Sequence, residues 1–191
     1  MDARLRNIVT QTLVKAWGTL SRATFDYRRN DGTWQTLHRE VYDHGNAACI
    51  LMINPQTRKV LLTRQFRYPP TLNGDHGWLI ECCAGLLDDD EPLAAIMREA
   101  MEETGYRPHG VTHLYDAYMS PGSLTEKLSF FIGLYDDNSR QNAGGGLPEE
   151  GEEIEVLEMD LSTALDLIAS GKIIDAKTIA LLHWAAWNYP A

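Results

Sequence analysis

The chain has 191 residues, of which 44% are apolar and 23% charged, the proportions of one soluble globular domain with a sizeable core. Seventeen basic against 27 acidic residues give a net charge of −10, which argues against nucleic acid or an acidic membrane surface as a partner. No apolar run approaches the roughly 20 residues that span a bilayer. The opening "MDARLRNIVTQTLVKAWG" mixes acid and base without an apolar segment, so a cytoplasmic protein is expected.

In chain order, residues 17–43 read as strands around the turn "RRNDG", with Phe25 and Tyr27 before it and Trp34, Leu37, Val41 and Tyr42 after it. "AACILMIN" (47–54) is a near-continuous apolar run, expected as a strand covered on both faces. Further strands are expected at 60–67, 78–82, 110–119, 127–136 and 154–159, with a small close-approach turn at Ala84–Gly85. The stretch 136–153, with three consecutive glycines, reads as a long mobile loop of the functional kind. Cys49, Cys82 and Cys83 form no CxxC, which argues against zinc and for buried reduced thiols.

Three helices are expected. One starts at Glu91–Pro92 and ends at Gly105, with Leu93, Ile96, Met97, Ala100 and Met101 as its apolar stripe. A second spans about 162–169. The third starts near Asp175 and carries Ile179, Leu182, Trp184 and Trp187. Strands outnumber helices, which predicts an α+β domain built on a mixed sheet sandwiched between helices. The first 45 residues form a strand-rich N-terminal extension, and residues 46–191 the main domain.

The first helix carries "REAMEETG" (98–105), three carboxylates within six positions. Like charges at helical spacing repel, so either a solvated acidic face tolerates them or something positive sits among them. Arg98 and Glu102 are four apart and can pair, which leaves Glu99 and Glu103 on one row with no neighbouring cation. Two carboxylates at that spacing suit a hard divalent ion with oxygen ligands, such as Mg²⁺.

"GLLDDDEPLAAIMREAMEETGY" (85–106) resembles the Nudix box, the loop–helix–loop that holds divalent metal in Nudix hydrolases. The likeness rests on Gly85, Glu91, Arg98, Glu99, Glu102, Glu103 and Gly105. The spacing departs from the usual box by one residue, and counting back from Arg98 puts Asp90 in place of Glu91. Outside the box, "RQFRYP" (64–69) resembles the arginine-bearing strand of the nucleoside diphosphate-sugar branch, and Pro121 the downstream proline of ADP-ribose-type pyrophosphatases. "REVYDHGNAA", "YMSPGSLTE", "NAGGG", "EEIEVLE" and "GKIIDAKT" look most like the GDP-mannose hydrolases.

What the resemblance implies is the Nudix fold and hydrolysis of a nucleotide sugar, GDP-mannose or else an ADP-sugar, to a nucleoside monophosphate and a sugar 1-phosphate. A sensor without catalysis is the third alternative, and it is disfavoured because the box glutamates are present. Mg²⁺, replaceable by Mn²⁺, is expected on Glu99, Glu103 and the Ala84 carbonyl, where it would polarise a phosphoryl group. Arg98 and Glu102 complete the catalytic set. Arg67 would neutralise phosphate oxygens, with Arg64 in the same strand. Of the carboxylates in 136–153, Glu152 is favoured as ligand or general base. Trp17, His38, Arg39, Glu40, Gly85, Leu86, Glu126 and Lys177 are expected to contact substrate. The extension is expected to build a homodimer.

Overall fold

A computed structural model of the chain describes residues 3–190, with the side chain of Glu150 outside that description. Contacts divide the chain into two compact units. The first runs to Asn46 and includes Tyr118–Lys127; the second holds Ala47–Ala117 and the chain from Leu128 on.

The first unit is an antiparallel sheet of β1 (Leu5–Lys15), β2 (Thr19–Arg28) and β3 (Trp34–Asp43), in that order. The turn at "RRNDG" joins β2 to β3 as expected, where the Arg29 N–H donates to Thr33 O at 2.8 Å. β1 went unread in the sequence because its register slips twice, between Arg6 and Val9 and between Thr12 and Val14, which spoils the alternation. Segment 118–127 is tied to the end of β3: the Tyr42 N–H donates to Ser123 O at 2.8 Å, and the Thr125 hydroxyl to Asp43 at 2.7 Å. Among the described residues of this unit only Gly18 is buried, and Ile8, Val9, Val14, Trp17 and Trp34 are exposed.

The second unit is built on β4 (Ala47–Ile53), β5 (Lys59–Phe66), β6 (Trp78–Glu81), β7 (Cys83–Leu86), β8 (His109–Tyr118), β9 (Lys127–Leu134) and β10 (Glu155–Asp160). The order β10-β5-β4-β9-β8, with β6 on β5 and β7 on β4, is a mixed sheet, because β4 and β9 run parallel while the other described pairings of β4 and β5 are antiparallel. All seven residues of β4 are buried, as its apolar run predicts. Helices α1 (Tyr68–Thr71), α2 (Pro92–Glu99), α3 (Leu161–Ala169) and α4 (Ala176–Asn188) complete the unit. Ala48, Ile50 and Met52 pack with Ile96 and Ala100 in one core. Alternation turns Cys49, Leu51 and Ile53 to the other face of β4, and α4, which buries Leu181, Leu182 and Ala185, also contacts that strand. The expected α+β architecture, a mixed sheet between helices, is what the chain forms.

Three local expectations are corrected. Ala84–Gly85 is a strand, not a turn, because β4 supplies it with a hydrogen-bonding partner: Ala84 stands opposite Cys49 and Gly85 opposite Ala48. The apolar stripes extend less far than the sequence suggests, for Leu93 is half exposed and Trp187 is 87% exposed. The segment 136–153 is docked rather than mobile. Its amides cap the end of the box helix, Gly145 N–H to Glu103 O at 2.8 Å, Gly146 N–H to Glu102 O at 3.0 Å, and Gln141 N–H to Gly105 O at 2.8 Å. Those carbonyls have no acceptor role left inside the helix, so the loop satisfies them. Gly144 makes this approach possible: its φ is +69°, and a Cβ there would lie 2.4 Å from the Thr104 carbonyl carbon.

Candidate active site

The box helix does not stay α-helical to its end. After α2, residues Ala100–Thr104 form a π-turn, closed by Gly105 in the left-handed conformation. The Thr104 hydroxyl donates to Ala100 O at 2.5 Å, occupying the carbonyl that an α-turn would offer to the Thr104 amide. Glu103 is therefore not one α-turn above Glu99. It lies in the interior at 3% exposure, beside buried Ala100 and Thr104.

Arg98 gathers more than its expected partner. Its guanidinium lies 3.2 Å from Glu102, 3.0 Å from Glu99 and 3.7 Å from Asp90. Glu99 thus has a cationic neighbour after all, because one terminal nitrogen of Arg98 lies between Glu99 and Glu102. Asp90, rather than Glu91, is the acid that reaches Arg98, while Glu91 occupies the N-cap of α2. Gly85 lies under Glu99: a Cβ on it would fall 2.2 Å from the Glu99 carboxyl carbon, so a larger residue there would displace that carboxylate.

Glu103 is the outlier in this cluster. Its Oε2 is buried without a hydrogen-bond partner. Burial above all, and then the charges of Glu99 and Glu152, push its pKa up to about 8 against the pull of the nearby Cys83 thiol and Arg67. An interior carboxylate with an orphan oxygen and two acidic neighbours is a poor structural element and a fitting ligand for a hard divalent cation. Among the described residues no three Asp, Glu, His or Cys side chains already stand at ligand spacing. Arg98 holds Glu99 instead, so a cation at Glu103 must compete with that guanidinium for the second carboxylate.

Beside this cluster runs a buried charged network that the sequence did not reveal. Glu81, at 5% side-chain exposure, accepts from Arg67 Nε at 2.8 Å and from Lys177 Nζ at 2.6 Å. Burial works against the Glu81 charge, but Lys177 and Arg67 outweigh it and hold the carboxyl below its ordinary range. Lys177 also donates to Asp175 at 3.0 Å, so carboxylates take two of its three ammonium hydrogens. Asp175 caps α4 through the Thr178 amide and hydroxyl, and the Thr178 hydroxyl accepts from the Cys82 N–H at 2.7 Å. Arg67 is thereby oriented from behind. Arg64 is not: it forms a half-exposed surface pair with Glu155 at 2.7 Å. The signals were a single acid inside apolar "WLIECC" and the D-x-x-T spacing of a helix cap.

In the docked loop, Glu152 accepts from the Leu147 N–H at 2.9 Å and is half-buried, whereas Glu149 and Glu153 are exposed. Leu86 follows Gly85 at the end of β7. The remaining candidates belong to the first unit. Trp17 is 73% exposed and stacks on His44 at 5.1 Å between ring centroids. On β3, His38 meets the Thr24 hydroxyl at 2.9 Å, Arg39 donates to the His38 carbonyl at 2.8 Å, and Glu40 pairs with Arg22 at 2.7 Å. Glu126 is half-buried in the segment before β9.

Comparison with known proteins covers nearly the whole chain. A NUDIX domain model matches residues 43–182, and a model described as the GDP-mannose pyrophosphatase NudK N-terminal domain matches residues 4–42. Proteins named GDP-mannose pyrophosphatase from Shigella flexneri serotype 5b (strain 8401) and Escherichia coli O157:H7 are each 48% identical over 99% of this chain and 98% of their own. The one from Escherichia coli (strain K12 / DH10B) is 48% identical over 96% of both. With matches of that extent, and with the box helix, its arginine and its buried glutamate assembled as described, the chain belongs to the Nudix family of hydrolases.

Proposed function

We propose that this hydrolase cleaves the pyrophosphate of GDP-mannose, giving GMP and mannose 1-phosphate, with Mg²⁺ or, in its place, Mn²⁺. The observation that carries the reading is Glu103, an interior carboxylate with an orphan oxygen next to Glu99 and Glu152. Relatives named for that activity, similar along their whole length, support the choice of substrate. Glu99, Glu103, Glu152 and the Ala84 carbonyl would hold the metal, which when bound supplies Lewis acidity and neutralises charge on the pyrophosphate.

The chain's own groups do the rest. Arg67, fixed by Glu81, donates to phosphate oxygens that gain charge in the transition state. Arg98 keeps Glu99 and Glu102 in place by ion pairs. Glu152, half-buried and oriented by the Leu147 amide, takes the proton of the attacking water or completes the ligand set. Gly85 and Leu86 line the substrate with backbone, and Lys177 retains one hydrogen for a phosphate or base oxygen. Selectivity falls to Trp17, His38, Arg39, Glu40 and Glu126. The proposed setting is the cytoplasm, with neither nucleic acid nor a membrane as partner.

The extension 1–45 is proposed to dimerise and to contact substrate. A sheet in which only Gly18 is buried among the described residues, and which exposes Ile8, Val9, Val14, Trp17 and Trp34, has little core of its own and gains from being covered by a second copy. Light scattering should give twice the 21.5 kDa chain mass under assay conditions; the single-chain mass would refute the dimer.

Two kinetic measurements test the chemistry. A site that hydrogen-bonds one base rejects another strongly, so kcat/KM for GDP-mannose should exceed that for ADP-ribose under identical conditions. A preference for ADP-ribose of about tenfold or more would keep the family and overturn the substrate. Glu152→Gln should lower kcat by about 10²-fold or more with little change in KM, while Glu149→Gln changes neither much. Equal effects would show that the loop contributes only general charge.

A further inference from the structure

Arg67 ends a line of four charges of alternating sign, Arg67, Glu81, Lys177 and Asp175. Glu81 gives one oxygen to each cation: Oε2 accepts from Arg67 Nε at 2.8 Å and Oε1 from Lys177 Nζ at 2.6 Å. Lys177 then donates to Asp175 Oδ1 at 3.0 Å. Asp175 is the N-cap of the 13-residue helix α4, and its Oδ2 accepts from the Thr178 amide and hydroxyl. Two cations and two carboxylates sum to zero.

The line is enclosed except at one end. The side chains of Glu81, Lys177 and Asp175 are 5%, 14% and 15% exposed, whereas that of Arg67 is 40% exposed. Its bond to Glu81 runs through Nε, which leaves the two terminal nitrogens to donate to phosphate oxygens. A carboxylate at 2.8 Å cancels much of the guanidinium's field at a distance and spares those short, directed bonds. That difference matters for turnover. Attraction that substrate and product feel alike lowers KM and delays release without speeding the chemistry. Hydrogen bonds aimed at charge that grows in the transition state speed it.

We propose that Glu81 is a positioning residue that sets turnover by holding Arg67 in one orientation and neutralising it, so that the product phosphate is released. Lys177 supplies the second positive charge that a carboxylate needs in such an enclosure, and Asp175 offsets that charge in turn. The inference rests on the assignment of Arg67 to the pyrophosphate. To that assignment it adds a control of product release, exerted by a side chain that touches no substrate.

The test separates the charge of Glu81 from its reach, by steady-state kinetics of the full chain on GDP-mannose at saturating Mg²⁺ with GMP as inhibitor. Glu81→Gln keeps the length and removes the charge. It should lower kcat about tenfold or more and strengthen GMP inhibition at least about threefold, with KM unchanged or lower. Glu81→Asp keeps the charge and shortens the reach, so kcat should fall while GMP inhibition stays as in the wild type. Arg67→Ala should weaken GMP inhibition, and adding Glu81→Gln to it should slow turnover no further, because Glu81 acts through Arg67. A Glu81→Gln enzyme that loses only stability, or a double variant whose losses in kcat add, would overturn the proposal. Should Glu81→Gln not fold, Asp175→Asn decides: it keeps the helix cap and unbalances the same line by one charge. GMP inhibition no stronger than in the wild type would then contradict the account. An Arg67→Ala enzyme like the wild type sinks the phosphate assignment and this inference with it. Weakened GMP inhibition in Arg67→Ala with none of the expected change in Glu81→Gln sinks the role of Glu81 alone. A wild type inactive on GDP-mannose overturns only the substrate, and the same comparison is then made with ADP-ribose and AMP.

Discussion

Ionising an acid enclosed in a protein interior with one oxygen unpartnered is costly, and the region around Glu103 is arranged to keep it so. The π-turn directs Glu103 inward. The Thr104 hydroxyl holds that turn, the glycine loop caps its carbonyls, and the nearest negative charges add to the cost rather than relieve it. Arg67 lies near enough to ease the charge but is hydrogen-bonded to Glu81 instead. A divalent cation is the group whose charge and oxygen preference answer this arrangement, and it connects an acidic chain to a polyanionic substrate.

The second constraint is the burial of Glu81. One acid inside a strand fixes two cations, Arg67 and Lys177, and through Asp175 and Thr178 it reaches the amide of Cys82. The same short stretch, residues 81–85, thus holds the acid that orients Arg67, the thiol against Glu103 and the glycine under Glu99. Removing one partner from such a network leaves a buried charge uncompensated, which costs far more than the network contributes when whole. The arginine and the carboxylate proposed here for phosphate and metal therefore both lean on this one stretch.

What the sequence made legible follows from periodicity and local chemistry. The continuous apolar run of β4, the proline and glycine that bound the box helix, and the Asp175 cap all act over a few residues, and each formed where expected. Glu99, Glu103 and Arg98 were legible because their spacing on one helix is chemical. The π-turn was not, since it depends on where Thr104 sends its hydroxyl and on a loop some forty residues later. Glu81 looked like an ordinary strand residue because its partner Lys177 is 96 residues away. The glycine run suggested mobility, yet its glycines serve close approach to the Glu103 and Thr104 backbone, a distinction only the tertiary structure makes. β1 was obscured by its register shifts.

The claim that Glu103 is held ready for a cation has a direct thermodynamic signature. With its pKa raised to about 8, the Glu103 carboxyl carries a proton at pH 7, while a bound cation requires the carboxylate. Binding must therefore release that proton, and Mg²⁺ affinity should climb with pH until the group is ionised above pH 8. Calorimetry of Mg²⁺ binding at pH 7, in buffers of different ionisation enthalpy, measures the release. The account predicts close to one proton per chain in the wild type and almost none in Glu103→Gln. A binding heat that does not depend on the buffer in the wild type would contradict it.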